Sequence, residues 1–236
     1  MEQIPHELAI NLEAYSTAKA VADYSFYVLF PEEEYLVKKY YKAGDRVLDL
    51  ACGMGRTTLM LHEMGLTVRG IDRSELFIQT AKRRMPYLDL KVGSFDQIQE
   101  PDNSFSHVLI CLNGIDYAFP AAQRLEALRE CARVLKPGGT FIYTSHNVKS
   151  MHWFSPCYRG RMRWKLRNSP KAFKEWAYIR EDDVYSFYAS AEFVVRQTET
   201  VGLRLMEMKW FRKVGVDRID RYFSPFIYYV FEKPLA

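Results

Sequence analysis

Short apolar runs alternate along the chain with stretches in which apolar residues recur every three or four positions. The first pattern is typical of buried strands and the second of amphipathic helices. The predicted strands are Val47–Leu50, Leu66–Ile71, Leu88–Val92, Val108–Leu112, Thr140–Thr144, Arg204–Phe211 and Phe226–Phe231. Because the first five alternate with helical segments, the pattern predicts a parallel sheet covered by helices on both faces.

Local start and stop signals place the helices between these strands. Residues 1–44 are predicted to be largely helical, and Pro31 with the three glutamates after it is typical of a helix start. Further helices are predicted over Gly55–Met64, from Ser74 to Met85, between Pro120 and Lys136, and from Ser190 to Thr200. A turn is predicted at Lys136–Gly139.

The composition limits the class of protein. With 236 residues, 48% hydrophobic and 26% charged, the chain suits one domain and is close to the globular average. The net charge of +4 is too small to argue for nucleic acid binding by itself. The four cysteines form no CxxC pair, and we find neither a signal peptide nor a membrane-length apolar run, so we expect a cytoplasmic protein.

Residues 149–180 differ from the rest of the chain, because they hold nine basic residues and a single acidic one. Three of the four tryptophans also lie there. We predict an insertion over 148–184. It either attracts an acidic substrate or RNA, or forms a solvated face whose long basic side chains cover the aromatic rings. The modest overall charge favours the solvated or small-acid interpretation.

One strand-to-helix turn carries the strongest chemical signal. Val47–Leu50 is followed by a turn with glycines at positions 53 and 55, which let the backbone approach a ligand. Asp72 ends the second strand 19 residues after Gly53 and can accept both hydroxyls of a ribose. Thr58 stands where the dinucleotide fingerprint has its third glycine, so the pattern favours a nucleoside, with a ligand-free turn as the alternative.

Four motifs in order make residues 45–147 resemble the class I S-adenosylmethionine-dependent methyltransferases. They are Val47–Gly55, Gly70–Asp72, Pro101–Phe105 and Arg133–Gly139. Tyr185–Leu203 also looks like the last helix of that family. The resemblance implies an α/β fold with a doubly wound, mainly parallel seven-stranded sheet whose last strand is antiparallel.

We expect a single methyltransferase domain over residues 1–236. Its parts would be an N-terminal helical cover over 1–44, a cofactor-binding core over 45–147, a substrate-cap insertion over 148–184 after the fifth strand, and a closing helix and strands over 185–236.

The resemblance also implies binding of S-adenosylmethionine, with S-adenosylhomocysteine as product and no metal. Asp49 would reach the methionine amino group, Asp72 would hold the ribose, and Asn113 would face the transferable methyl group. The turn and adenine positions would be Ala51, Gly53, Gly55, Arg73, Ser94 and Phe95.

The chain departs from the family pattern at three places. Ala51 replaces a frequent glycine, and Ser106-His107 stands where Phe-Asp is usual. Ser94 stands where many members carry an aspartate that accepts from the adenine amino group, a role that Asp96 could take over.

Residues after the fourth and fifth strands are candidates for the methyl acceptor side. His146, just past the fifth strand, is the candidate general base, and Asp116 and Tyr117 face the same crevice. Each has a structural alternative. His146 could merely bond to nearby backbone, Asp116 could be an acidic residue at a helix start, and the Tyr117 ring could serve only for packing. Substrate contacts are expected from Tyr15, Tyr24, Trp153 and Arg159.

We therefore expect methyl transfer from S-adenosylmethionine to an O or N atom of a small acidic or aromatic metabolite. The alternatives are an RNA base or ribose methyltransferase and a non-catalytic nucleoside-binding regulator with the same fold. We expect no membrane partner and a monomer or homodimer. Tyr228, Tyr229 and Phe231 would lie either in the core of an edge strand or at an interface.

Overall fold

The computed structural model describes residues 6–148, 176–181, 184–211 and 224–235. The helices in these ranges are α1 His6–Ala14, α2 Ala18–Asp23, α3 Pro31–Tyr40, α4 Arg56–Glu63, α5 Glu75–Arg84, α6 Ala121–Val134 and α7 Ala191–Glu199, with a 3₁₀ helix over Gly114–Tyr117. The strands are β1 Arg46–Leu50, β2 Thr67–Asp72, β3 Asp89–Val92, β4 Phe105–Ile110, β5 Leu135–Asn147, β6 Trp176–Glu181, β7 Val184–Ala189, β8 Arg204–Trp210 and β9 Phe226–Glu232.

The seven predicted strands form one row with the order β3-β2-β1-β4-β5-β9-β8. Pairing is parallel from β3 through β5. β9 runs antiparallel to both β5 and β8. These pairings confirm the predicted mainly parallel α/β sheet, including its antiparallel last strand.

A hairpin that was not predicted adds two strands to this sheet. β6 and β7 pair antiparallel, and β7 pairs in parallel with the last two residues of β5. The helix expected over Tyr185–Leu203 is therefore wrong for its first five residues, and α7 begins only at Ala191. The reason is packing: Phe187 of β7 is fully buried, and its ring lies 5.7 Å from that of Trp176 in β6. Ser190 caps α7 as predicted, because its hydroxyl accepts from the Phe193 N–H at 3.1 Å.

β5 is longer than the sequence predicts. The expected turn at Lys136–Gly139 lies inside the strand as a bulge, because pairing with β4 passes from Phe105↔Leu135 directly to His107↔Thr140. At its other end, the strand continues to Asn147. His146 consequently lies within β5 and not beyond it.

Helices cover both faces of the sheet, as predicted. On one face, α6 and α7 bury Leu128 and Val194 in a cluster with residues of β1, β4, β5 and β9. On the other, α3 and α4 bury Leu36 and Leu61 against the same strands. Tyr228, Tyr229 and Phe231 are at most 1% exposed in β9, between β5 and β8, so these rings belong to the core and not to an interface.

Candidate functional site

A cavity opens at the carboxyl ends of β1, β2, β3 and β4, beneath α1 and α2. Its volume is about 1020 Å³ including the open mouth, and its walls are largely apolar and aromatic. Ligand sites of α/β proteins occupy this end of the sheet. The predicted site residues that line it are Tyr15, Tyr24, Ala51, Gly53, Asp72, Arg73, Phe95 and Tyr117.

The turn between β1 and α4 forms the floor of the cavity. Its backbone is left-handed at Ala51, Gly53 and Gly55, with φ values of 52°, 54° and 79°. A Cβ at Gly55 would lie 3.4 Å from the Met85 side chain, and Gly55 does not line the cavity. Gly55 is therefore explained by its backbone conformation and by core packing, whereas Gly53 faces the cavity.

Asp72 is fixed beside this turn by two backbone donors. Its Oδ2 accepts from the Gly53 N–H at 2.8 Å, and its Oδ1 accepts from the Ser74 N–H at 2.8 Å. Burial raises the pKa of the Asp72 carboxyl above its ordinary value, and the two N–H groups counteract part of that rise. Each carboxylate oxygen can accept a second hydrogen bond, so Asp72 can still bind a ligand diol.

Arg73 and Phe95 form one wall of the cavity. The guanidinium lies 5.2 Å from the centre of the Phe95 ring, and Arg73 Nε donates to the Ser94 hydroxyl at 2.7 Å. Arg73 Nη2 and the Gln123 amide both donate to Asp96, at 2.5 and 2.7 Å. Burial opposes ionisation of Asp96, but the donors from Ser94 and Arg73 outweigh it and lower its pKa. Asp96, which does not line the cavity itself, thus fixes the position of the Arg73 side chain.

Four aromatic rings meet under the N-terminal cover. The Tyr15 ring lies 5.8 Å from that of Tyr24, 6.4 Å from that of Phe77 and 5.3 Å from that of Tyr117. Burial raises the pKa of the Tyr15 and Tyr117 hydroxyls, so both stay protonated at neutral pH. The site therefore has an aromatic roof with neutral hydroxyl groups, a surface that suits a cationic ligand group.

Two hydrogen-bonded contacts hold this cover on opposite sides of the cavity. The Ser74 hydroxyl donates to the Tyr15 carbonyl at 2.9 Å, next to Asp72. Asn11 is buried and pairs with the backbone of β7: Nδ2 donates to the Tyr185 carbonyl at 2.9 Å, and Oδ1 accepts from the Tyr185 N–H at 2.7 Å. The cover is thus linked to the start of α5 and to β7.

Behind the far wall lies a polar network centred on Asp116. This carboxylate is fully buried and accepts from Arg124 Nη1 at 2.6 Å and from the Ser145 hydroxyl at 2.8 Å. It also accepts from the His146 backbone N–H at 2.7 Å and lies 2.8 Å from His146 Nδ1. Asn113 Nδ2 lies 3.2 Å from His146 Nε2. The structure therefore brings three predicted residues together, although none of the three lines the cavity.

Asp49 is buried at the end of β1, and its side chain faces the start of α4. Its Oδ2 accepts from the hydroxyls of Thr57 and Thr58 at 2.5 and 2.6 Å. Burial raises the pKa of the Asp49 carboxyl to about 6, although the two hydroxyl donors oppose this rise. Asp49 does not line the cavity, so any contact with a ligand would be indirect.

Replacing Asp49 with asparagine should stabilise the protein more at neutral than at acidic pH. The pKa of Asp49 is about 6 in the folded protein, above its ordinary value of 3.8. The stability of the native protein therefore falls as the pH rises from the ordinary value through the folded-state value. Asparagine cannot ionise and avoids this loss, which amounts to roughly 3 kcal/mol. Urea unfolding of both proteins at about pH 4 and about pH 7 measures the effect. An equal difference at both pH values would contradict it.

Comparison with known proteins agrees with this architecture. Residues 47–139, which include the β1–α4 turn and Asp72, match a family model described as a methyltransferase domain. This match supports a class I S-adenosylmethionine-dependent methyltransferase. A crystal structure of an S-adenosylmethionine-dependent methyltransferase from Methanosarcina mazei is similar in fold, with a TM-score of 0.68 and 19% identity over 88% of this chain and 99% of that one.

Curated relatives match parts of the chain. A putative methyltransferase, YqeM, from Bacillus subtilis is 34% identical over 43% of this chain and 42% of its own length. A ubiquinone biosynthesis O-methyltransferase from Alkalilimnicola ehrlichii is 25% identical over 65% of this chain and 62% of its own. The chain thus spans less than two thirds of the length of these family members.

Two buried polar residues near the cavity, Asn11 and Arg124, were not identified from the sequence. Arg124 was missed although it lies on the apolar face of α6, three and four positions before Ala127 and Leu128. Asn11 of α1 likewise lies three positions after Leu8 and four before Tyr15. A polar residue at a core position of a helical repeat is the signal that would have found both.

Some expectations concern residues that the structure does not describe, a metal site or a membrane span. Trp153 and Arg159 both lie in the range 149–175, which the structure does not describe. Within the described ranges, no three His, Cys, Asp or Glu side chains are grouped as a metal site would require. None of the described helices has the length and hydropathy needed to span a membrane.

Proposed function

We propose that this chain transfers the methyl group of S-adenosylmethionine to a small-molecule acceptor and binds the nucleoside in the cavity beneath α1 and α2. The observation that carries the proposal is the Asp72 carboxylate, which lines the cavity and is held by the backbone of the β1–α4 turn. A carboxylate in this position suits the two hydroxyls of a ribose. The match of residues 47–139 to a methyltransferase family model supports the choice of cofactor.

The other lining residues suit the remaining parts of the cofactor. Arg73 and Phe95 offer flat surfaces for the adenine, and the turn at Ala51 and Gly53 gives the backbone room to approach the ligand. The aromatic roof around Tyr15 suits the sulfonium, because aromatic faces attract cations. Bound there, S-adenosylmethionine would supply an activated methyl group, and the protein would contribute position and electrostatics.

A small aromatic or acidic metabolite is the proposed acceptor, with methylation at O or N. The largely apolar and aromatic cavity walls support an aromatic acceptor, as does the similarity to a protein named as a ubiquinone biosynthesis O-methyltransferase. Trp153 and Arg159 keep their predicted role as acceptor contacts. We also propose that the protein acts in the cytoplasm.

Calorimetric titration with S-adenosylmethionine, S-adenosylhomocysteine and NAD tests the cofactor assignment. We expect the two sulfur nucleosides to bind and NAD to give no heat, since the turn lacks the third glycine of a dinucleotide site. Absence of binding to both sulfur nucleosides would contradict the proposal. Binding without turnover on any acceptor panel would favour the non-catalytic alternative. The RNA alternative predicts salt-sensitive polyanion binding through residues 159–167, which lie outside the described ranges.

A further inference from the structure

The polar network centred on Asp116 has one accessible member. The side chains of Arg124 and Asp116 are both 0% exposed, whereas that of His146 is 14% exposed. Leu112 and Gly114, on either side of Asn113, line the cavity, as does Tyr117 next to Asp116. His146 is therefore the accessible member of this network, and sequence neighbours of its partners Asn113 and Asp116 line the cavity.

The neighbours of His146 determine which ring nitrogen carries the proton. Arg124 and Ser145 both donate to Asp116 Oδ1, so the carboxylate acts as an acceptor throughout. His146 Nδ1, 2.8 Å from Asp116 Oδ2, must then hold the hydrogen. In the neutral ring this leaves the lone pair on Nε2. The nearest other described ring is that of Tyr188, with the two ring centres 4.4 Å apart.

Asn113 adds a donor with unused bonding capacity beside that lone pair. Its Nδ2 lies 3.2 Å from His146 Nε2, a long hydrogen bond. Its Oδ1 is buried and has no hydrogen-bond partner among the described residues. An unsatisfied buried carbonyl destabilises the protein, and binding of a ligand that donates to it would remove this cost. Asn113 and His146 thus present one donor and one acceptor side by side.

We infer that His146 Nε2 accepts the proton of a hydroxyl group on the methyl acceptor, and that Asp116 positions the ring for this step. A hydroxyl fits the pair if it displaces the long Asn113–His146 hydrogen bond, because it can then accept from Asn113 Nδ2 while it donates to the single lone pair of Nε2. A hydroxyl also gains nucleophilicity from the base, whereas a neutral amine already offers a lone pair. The inference rests on the proposed methyl transfer and names the class of its acceptor.

The step balances without a further reactant. The acceptor oxygen forms a bond to the methyl carbon, and the bond from that carbon to sulfur breaks with its electron pair left on sulfur. The hydroxyl proton moves to His146 Nε2. The resulting imidazolium lies between the Asp116 carboxylate and Asn113, whose amide can turn to present Oδ1 as an acceptor.

The tautomer of His146 tests the inference without any turnover. We would label histidine with ¹⁵N in the full chain and assign His146 by the signal lost in His146→Gln. At neutral pH we expect hydrogen on Nδ1 and a lone pair on Nε2, and Asp116→Asn should shift hydrogen towards Nε2. Hydrogen on Nε2 in the native protein, or a ring protonated at both nitrogens, would overturn the inference. If Asp116→Asn does not fold, the native spectrum decides alone.

Turnover on matched rings tests the acceptor class. Phenol, aniline and thiophenol differ only in the acceptor atom, and methyl-labelled S-adenosylmethionine reports each product. We expect product on phenol oxygen, and His146→Gln should lower kcat by about 10²–10⁴-fold at unchanged affinity for S-adenosylhomocysteine. Phenol methylation by His146→Gln at the native rate, or methylation of aniline alone, would refute the inference. If no ring is methylated, the tautomer measurement decides.

His107→Gln is the matched control for this experiment. His107 is also a buried histidine paired with a carboxylate, since its Nε2 lies 2.9 Å from Asp45 Oδ2, but it does not line the cavity. The His107→Gln variant should leave kcat unchanged. Failure of the native protein to bind S-adenosylhomocysteine would refute the proposed function. Intact binding with the opposite tautomer would refute only the role of His146.

Discussion

Replacing Glu33 with alanine is expected to destabilise the protein by about 3–5 kcal/mol, because it leaves a buried arginine without its counter-charge. Glu33 of α3 and Arg56 of α4 form a bidentate ion pair with distances of 2.6 and 2.8 Å. The two side chains are only 2% and 6% exposed. Water cannot replace the lost carboxylate at such a site.

Further contacts of the Glu33–Arg56 pair hold the chain between α2 and α3. Arg56 Nη1 also donates to the Val28 carbonyl at 2.8 Å, and Glu33 Oε2 accepts from the Phe30 N–H at 2.8 Å. Arg56 itself lines the cavity. Loss of Glu33 should therefore loosen the segment that connects the cover to the sheet, in addition to its effect on global stability.

The neighbouring glutamate provides the control. Glu34 pairs with Lys38 along the same helix, but their side chains are 51% and 63% exposed. Exposed pairs of this kind contribute about 0.3–0.5 kcal/mol, so Glu34→Ala should change stability little. Urea unfolding of both variants measures the contrast, and at about 2–4 °C per kcal/mol the melting temperature should also separate them.

A double variant shows whether the cost arises from the unpaired charge. Glu33→Leu with Arg56→Met removes both charges and should be considerably more stable than Glu33→Ala, since apolar replacements of buried pairs are often neutral or stabilising. Equal losses for Glu33→Ala and Glu34→Ala would show that the Glu33–Arg56 pair has no special role. A double variant as unstable as Glu33→Ala would show that packing, and not the charge, accounts for the loss.

Local patterns were sufficient to predict seven of the strands and the floor of the cavity. A strand, a turn with left-handed glycines and a helix follow one another in the chain, so Gly53 and its neighbours needed no tertiary information. Asp72 ends β2, which pairs in parallel with β1, so topology alone brings it beside the turn. This is why the predicted Asp72 and the turn meet at 2.8 Å.

Residues whose positions depend on contacts distant in sequence were harder to predict. Asn11 bonds to Tyr185, 174 residues away, and no local pattern specifies that partner. β5 continues to Asn147, so His146 lies within the strand, where β7 pairs with it. The residues of β7 were predicted to be helical because their local pattern does not indicate that they pair with β5 and β6. Such tertiary context overrides local pattern.

The ribose interpretation of Asp72 predicts a loss of affinity that depends on the ligand hydroxyls. Asp72→Asn should weaken binding of S-adenosylhomocysteine by about 10–100-fold, because a hydrogen bond to a charged acceptor contributes roughly 1.5–3 kcal/mol. Asparagine keeps one oxygen acceptor for the two backbone donors, Gly53 and Ser74, so the turn is disturbed less than by alanine. Calorimetric titration gives the affinities.

Asp89→Asn is the matched control, and a second ligand pair isolates the ribose contact. Asp89 lies on the edge strand β3 and is 45% exposed, outside the cavity, so its replacement should leave the affinity unchanged. The native protein should bind adenosine more tightly than 2′,3′-dideoxyadenosine, and Asp72→Asn should bind the two alike. If Asp72→Asn still distinguishes them as the native protein does, the diol is bound elsewhere. Asp72 would then serve only to fix the turn through Gly53 and Ser74.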